Sequence, residues 1–286
     1  MSQSPFERVA VFGAGTMGHG IAQVCATAGM DVFLYDLTDE AVDAGLARIR
    51  QNLDKGIARG KVTEQQREDT LGRLSGTTTL ADAADGADLV IEAIPEKLHL
   101  KQQLFSALEP HVAPGCVFAT NTSSISISRI AEQNADPSRV IGAHFFNPVF
   151  IMKLLEIVYH PGTANEVISA VESFGAAIGK ETILVRDVPG FATSRLGVAL
   201  GMEAIRMLED GVASAEDIDK AMVLGYRHPI GPLKLTDLVG LDVRMHIGEY
   251  LAEQLNNPAF NPPEMMRRLV AQGKLGKKSG EGFYRW

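Results

Sequence analysis

A histidine, a glutamate and a short run of hydroxyl side chains hold the densest chemistry in this chain. His144 closes the apolar run Ile141-Gly142-Ala143, and the aromatic turn Phe145-Phe146-Asn147-Pro148 follows it. Glu156 comes soon after, inside Leu154-Leu155-Glu156-Ile157-Val158. A carboxylate set among branched aliphatic neighbours costs several kcal/mol (roughly the upper range for uncompensated polar burial) unless a charge or donor meets it. Glu156 therefore calls for a partner, and His144 is the nearest candidate. An imidazole with an ordinary pKa of about 6.5 can take and return a proton near neutrality, so the pair reads as a proton relay. The tetrad Asn121-Thr122-Ser123-Ser124 lies shortly before it.

The second concentration of chemistry is at the start. The strand-like run Arg8-Val9-Ala10-Val11-Phe12 leads directly into Gly13-Ala14-Gly15-Thr16-Met17-Gly18, and Ile21, Val24, Cys25 and Ala28 then recur at helical spacing up to Gly29. A G-x-G-x-x-G alone is a weak signal. Here it lies between a strand and a helix, and Asp36 follows a second strand-like run, Val32-Phe33-Leu34-Tyr35. In that context the first two glycines permit a tight turn and close backbone approach to a pyrophosphate on the positive end of a helix. Asp36 would accept hydrogen bonds from the adenosine ribose and repel a 2′-phosphate, which favours NAD over NADP.

These residues need a scaffold. Strand-like runs at Asp88-Leu89-Val90-Ile91, Cys116-Val117-Phe118-Ala119 and Arg139-Val140-Ile141-Gly142-Ala143 alternate with helical stretches, one of which holds Lys101. Such alternation implies right-handed crossovers and a mostly parallel, Rossmann-type sheet with helices on both faces. Gly13, Asp36, Glu96, Ser123 and His144 each follow the carboxyl end of a strand-like run, the edge where such sheets bind ligands. Thr38 can cap a helix running through Val42, Leu46, Ile49, Leu53 and Ile57 to Gly60, and Thr63 with Gln66 forms a capping box. Arg48, Arg50, Lys55, Arg59 and Lys61 form the densest basic cluster of the first half. The plainer view is a solvated helix face, but in an acidic chain it is also the best seat for an anionic substrate tail. Composition changes at Asp187-Val188-Pro189-Gly190. Strand patterns cease there, and Phe191–Leu208, Glu216–Val223 capped by Ser214, and Leu235–Leu255 read as helices. Two domains are expected, residues 1–187 and an all-helical 188–286. Met202, Met207, Met222 and Met245 would be core or a dimer surface.

Composition narrows the classes. The chain has 286 residues, 45% hydrophobic, with a formal net charge of −8. That length buries a sizeable core, and that charge disfavours nucleic acid and acidic membrane surfaces as partners. No run approaches the roughly 20 apolar residues of a membrane span. Cys25 and Cys116 read as buried thiols in a reducing compartment, so a soluble cytoplasmic protein is expected. His19, His99, His111, His160 and His246 have no companions at metal spacing and His228 sits in a turn, so no metal is expected.

Taken together, Gly13 to Gly18, Glu92 to Glu96, Asn121 to Ser124, His144 to Pro148, Pro189-Gly190-Phe191, His228-Pro229-Ile230-Gly231-Pro232 and the tail Gly276 to Tyr284 resemble the L-3-hydroxyacyl-CoA dehydrogenase family, including its 3-hydroxybutyryl-CoA members. The motifs fall in the family's order over nearly the whole chain. The resemblance implies NAD-dependent oxidation of a (3S)-3-hydroxyacyl-CoA to a 3-oxoacyl-CoA, and the reverse. His144 would be the general base, Glu156 the carboxylate that orients it, and Ser123 the hydroxyl that binds the substrate oxygen. Gly13, Ala14, Gly15, Thr16, Met17, Gly18, Asp36, Glu96, Lys101, Ser123, Asn147 and Lys278 would hold NAD. Asn52, Arg59 and Ser123 would meet the acyl-CoA, and the helical domain would form a homodimer.

Three positions depart from the family's pattern. Ser194 stands where an active-site asparagine is usual, Phe150 where a proline is common, and Arg59 where lysine is commoner. The first two bear on the acyl side of the site. Two alternatives remain open beside the main reading. One is a dehydrogenase of a small free hydroxy acid, as in the gulonate dehydrogenase and lens-crystallin branch, and the other is a non-catalytic NAD-binding protein. The intact Ser123, His144 and Glu156 argue against the last. Acyl length, direction and pathway are likewise open.

Overall fold

The computed structural model describes residues 4–286, which fall into two compact units dividing between Asp187 and Val188. In the first unit the strands are β1 (Arg8–Phe12), β2 (Asp31–Tyr35), β3 (Leu74–Thr77), β4 (Leu89–Glu92), β5 (Val117–Thr120), β6 (Val140–Phe145), β7 (Leu154–Tyr159) and β8 (Glu181–Arg186). They form one sheet in the order β3-β2-β1-β4-β5-β6-β7-β8. From β3 to β6 every neighbouring pair is parallel, β6 and β7 are antiparallel, and β7 and β8 are parallel again. The helices are α1 (Gly18–Thr27), α2 (Asp39–Ala58), α3 (Glu64–Gly72), α4 (Leu80–Ala84), α5 (Leu98–Leu108), α6 (Ile127–Ala131) and α7 (Asn165–Ala177).

Physical cause is visible strand by strand. β4, β5 and β6 are buried at every position, as continuous apolar runs must be when helices cover both faces of a parallel sheet. Val9, Val11, Ile21, Leu34, Leu89, Ile91, Ile141 and Phe174 belong to the resulting core. The edges were not legible in the sequence. β3 is a short Leu-Ser-Gly-Thr with an exposed middle, and β8 is exposed or half-buried throughout, so neither shows the buried face that marks a strand. Local signals held better. The Thr38 hydroxyl accepts from the Ala41 N–H at the start of α2, and Thr63 and Gln66 make a reciprocal capping box at α3.

In the second unit the helices are α8 (Thr193–Glu209), α9 (Ala215–Lys220), α10 (Pro232–Val239), α11 (Leu241–Gln254) and α12 (Glu264–Ala271). Val198, Met202, Ile205, Ile218, Leu233, Leu251, Phe260 and Met266 form its core. The single helix expected over Leu235–Leu255 is two, because Gly240 at φ +104° stands in a conformation that L side chains avoid and turns the chain between α10 and α11. Past α9 the backbone winds into a π-helical turn, Ala221–Gly225. Asp237, 1% exposed, accepts the N–H groups of Phe283 and Tyr284 and the Trp286 indole N–H, each at 2.9 Å, and so pins the tail that carries Lys278. Among the described residues no helix is long and apolar enough to cross a membrane. Cys25 and Cys116 are both buried and unbridged, and burial pushes each thiol up to about 12.

Candidate active site

The glycine loop turns at the end of β1. The Gly13 N–H donates to the Tyr35 carbonyl at 2.8 Å, and its φ of +101° turns the chain where a Cβ would stand 2.6 Å from the Ala93 carbonyl oxygen. A Cβ on Gly18 would fall 1.6 Å from the Gly13 carbonyl oxygen, so the loop closes on itself as α1 begins. Gly15 is the opposite case, with nothing within 4 Å of its Cβ position. Met17, the residue before α1, offers no side-chain cap. No side chain therefore competes with an anion at the start of α1, where the His19 N–H reaches the Gly15 carbonyl only at 3.3 Å. At the neighbouring strand end, Asp36 accepts the Ala14 N–H and the Leu37 N–H, both at 2.7 Å. Open backbone, helix terminus and fixed carboxylate together fit the pyrophosphate and ribose of NAD.

His144 is the penultimate residue of β6 rather than lying beyond its end. The strand runs on because β7 folds back along it, and the antiparallel register sets Glu156 directly opposite His144. Side chains so paired meet across the ladder, and Nδ1 of His144 lies 2.8 Å from Oε2 of Glu156. His144 is 7% exposed and Glu156 fully buried. An ionised carboxylate only accepts, so in a neutral ring Nδ1 is the donor of this bond. The Phe146 ring packs on the imidazole with centroids 4.5 Å apart.

Ser123 is held through Glu96. Oε1 of Glu96 accepts the Thr122 hydroxyl at 2.6 Å, the Ser123 N–H at 3.0 Å and the Ser124 N–H at 3.3 Å. Burial alone would raise the Glu96 carboxyl, but the Lys101 ammonium and these hydrogen bonds outweigh it and hold the carboxyl below its usual range. Lys101 itself is 1% exposed, enclosed behind Glu96 at 3.2 Å and against Glu92 at 2.6 and 2.8 Å. Oδ1 of Asn121 accepts the Phe145 N–H at 2.9 Å, joining the serine loop to the strand of His144.

The other expected residues are more dispersed. Asn147 is exposed in the turn after β6, and Lys180 ties that turn down by donating to the carbonyls of Val149 at 2.5 Å and Met152 at 2.6 Å. Asn52 on α2 donates to Gln23 at 3.1 Å, and Arg59 is exposed just past α2. Ser194 is the second residue of α8, and Lys278 pairs with Asp242 at 2.6 Å. Sequence reasoning missed Glu92 and Thr120, although Glu92 follows Leu89-Val90-Ile91 much as Glu156 follows Leu154-Leu155. Among the described residues no group of three His, Cys, Asp or Glu side chains could hold a metal ion.

A mostly parallel sheet with β3-β2-β1-β4-β5-β6 at its centre and a glycine loop at the β1/β4 switch point defines a dinucleotide-binding protein of the Rossmann class. The particular family follows from comparison. Residues 8–188 match the family model described as 3-hydroxyacyl-CoA dehydrogenase, NAD binding domain, and residues 190–286 match that family's C-terminal domain. The chain belongs to the 3-hydroxyacyl-CoA dehydrogenase family, and NAD is its cofactor. It is 43% identical to the 3-hydroxybutyryl-CoA dehydrogenase of Mycobacterium tuberculosis, over 97% of this chain and 98% of that one. It is also 43% identical to the mitochondrial hydroxyacyl-coenzyme A dehydrogenase of Rattus norvegicus, over 98% and 91%. The crystal structure of (S)-3-hydroxybutyryl-CoA dehydrogenase from Ralstonia eutropha superposes with a TM-score of 0.95 at 40% identity, over 98% of this chain and 99% of that one.

Proposed function

We propose that this protein oxidises a (3S)-3-hydroxyacyl-CoA to the 3-oxoacyl-CoA with NAD, and catalyses the reverse reduction. The observation that carries the reading is the buried His144–Glu156 pair, 2.8 Å apart, on the sheet edge that also bears the glycine loop. Bound NAD supplies the hydride acceptor. His144 takes the proton of the C3 hydroxyl, Glu156 stabilises the imidazolium, and the Ser123 hydroxyl bonds the substrate oxygen. Gly13, Ala14, Gly15, Thr16, Met17 and Gly18 cradle the pyrophosphate. Asp36 takes the ribose, and Glu96, Ser123, Asn147 and Lys278 complete the cofactor's contacts. Lys101 serves that set from behind Glu96. Asn52 and Arg59 meet the CoA portion, and Ser194 is a further active-site side chain.

We assign the protein to the cytoplasm, on the support of its two buried, unpaired thiols. A homodimer through the helical unit is supported by the exposed apolar side chains Leu196, Leu224, Tyr226, Val239 and Val243, which a second copy would cover. The reaction is tested by following NADH formation from (S)-3-hydroxybutyryl-CoA beside free (S)-3-hydroxybutyrate and gulonate. The thioester is expected to give the highest kcat/KM, and preference for either free acid overturns the assignment.

A further inference from the structure

Glu92 is the last residue of β4, fully buried, in register with Phe12 on β1 and Thr120 on β5. It therefore stands at the switch point of the sheet, beneath the serine loop, and no step of the reaction employs it. Its side-chain bonds lead to that loop or to the groups holding it, save one: the Ile94 N–H donates to Oε2 at 3.2 Å. Both carboxylate oxygens receive the Lys101 ammonium, at 2.6 and 2.8 Å. The Thr120 hydroxyl donates to Oε1, and the same hydroxyl oxygen accepts the Thr122 N–H at 3.2 Å. The Glu92 main-chain carbonyl accepts the Asn121 N–H at 3.0 Å.

We propose that Glu92 is a positioning residue for the Ser123 loop: it occupies the Lys101 ammonium so that Glu96 keeps one oxygen for the loop. An enclosed ammonium in a medium of low polarity takes whatever carboxylate it can reach, because leaving it uncompensated is costly. Two carboxylates are in reach, Glu92 through two contacts below 3 Å and Glu96 through one at 3.2 Å. With Glu92 as the main partner, only Oε2 of Glu96 turns to Lys101, and Oε1 collects Thr122, Ser123 and Ser124. Without the Glu92 charge, Lys101 draws both oxygens of Glu96 and the loop loses its acceptor. Burial pushes the Glu92 carboxyl up, against the pull of Lys101 and the hydrogen bonds from Thr120 and Ile94.

The inference rests on the proposed role of Ser123 for its catalytic consequence, but not for its structural one, and the experiment separates the two. Amide hydrogen exchange is measured on the full-length protein and on Glu92→Gln, which keeps the side chain's shape. The Ser123 and Ser124 amides are expected to exchange about tenfold faster, while Phe118 to Thr120 in the ladder stay protected. Lys101→Met added to Glu92→Gln removes the competing cation and returns most of the protection, whereas a general packing role predicts further loss. This double variant also stands in should the single one fail to fold, since an apolar side chain in place of a buried ion pair is often tolerated. Turnover is compared with and without Glu92→Gln in the Ser123 protein and in Ser123→Ala. A loss of about tenfold is expected where Ser123 is present, the scale of a small misplacement at a reacting centre, and little further loss where it is absent. Unchanged amide exchange, or an equal loss of turnover in both backgrounds, overturns the proposal. Absence of turnover of any CoA thioester by the unaltered protein overturns instead the function proposed above, and the exchange result still decides the role of Glu92.

Discussion

A histidine serves as a base only when the right nitrogen carries the lone pair, and at His144 that choice belongs to Glu156. Its carboxylate at 2.8 Å claims the proton on Nδ1, and in the proposed reaction the other nitrogen takes the substrate's proton. His144→Ala is expected to lower kcat by roughly 10² to 10⁴, the usual range for general-base catalysis, with NADH affinity unchanged. Glu156→Gln keeps an acceptor at the same place but not the charge, and should cost about 10², the lower end of that range. Steady-state turnover with fluorescence titration of NADH measures both, and wild-type turnover by His144→Ala would remove it from the mechanism. At this scale the sequence was informative where a residue contradicts its neighbours. Glu156 among aliphatics announced a partner, and the same contradiction marks Glu92. Lys101 was legible as a lysine on a helix but not as an enclosed one, because burial depends on what Glu92 and Glu96 do in three dimensions.

Elements position these residues by register, which no single stretch of sequence contains. The β6/β7 pairing brings His144 opposite Glu156, and the parallel β4/β5 pairing brings Glu92 opposite Thr120. Signals that depend on neighbours a few residues apart were readable: the glycine loop, the Thr63–Gln66 box and the caps of Thr38 and Ser214. Gly240 was hidden because apolar spacing continues on both sides of it, and β8 because its side chains alternate against nothing buried. The loop between β5 and α6 depends on an ionised Glu96, which gives it a pH window. The folded carboxyl lies below the ordinary value of 4.5, so its contribution is fully present above pH 4.5 and is lost as pH falls through the lower folded value. NADH affinity should therefore hold steady from neutrality down to pH 5, while Glu96→Gln weakens binding even at neutrality. A wild-type affinity that titrates with a midpoint above 4.5 would contradict this.

Over the whole molecule the electrostatics oppose the proposed substrate. With 27 basic against 35 acidic side chains and a net charge of −8, the average surface repels a CoA thioester, which carries several negative charges. Binding must then be local, and the exposed Arg48, Arg50, Lys55, Arg59 and Lys61 along α2 and just beyond it are the concentrated positive counterpart in the first unit. Arg48 also donates to the Ala14 carbonyl at 3.3 Å, so one end of this strip is tied to the glycine loop. Exposed charges interact over a Debye length of about 10 Å at 0.1 M salt and about 3 Å at 1 M. Raising salt across that range should increase KM for the acyl-CoA severalfold while kcat changes little, because ground-state attraction is lost and the His144–Glu156 pair is buried. Arg59→Glu should raise the same KM at low salt, again with kcat unchanged, and the variant should respond less to added salt than the wild type. An acyl-CoA KM indifferent to both would move the CoA contact away from Arg59. A change confined to NAD would instead assign the strip to the cofactor, through Arg48 and Ala14.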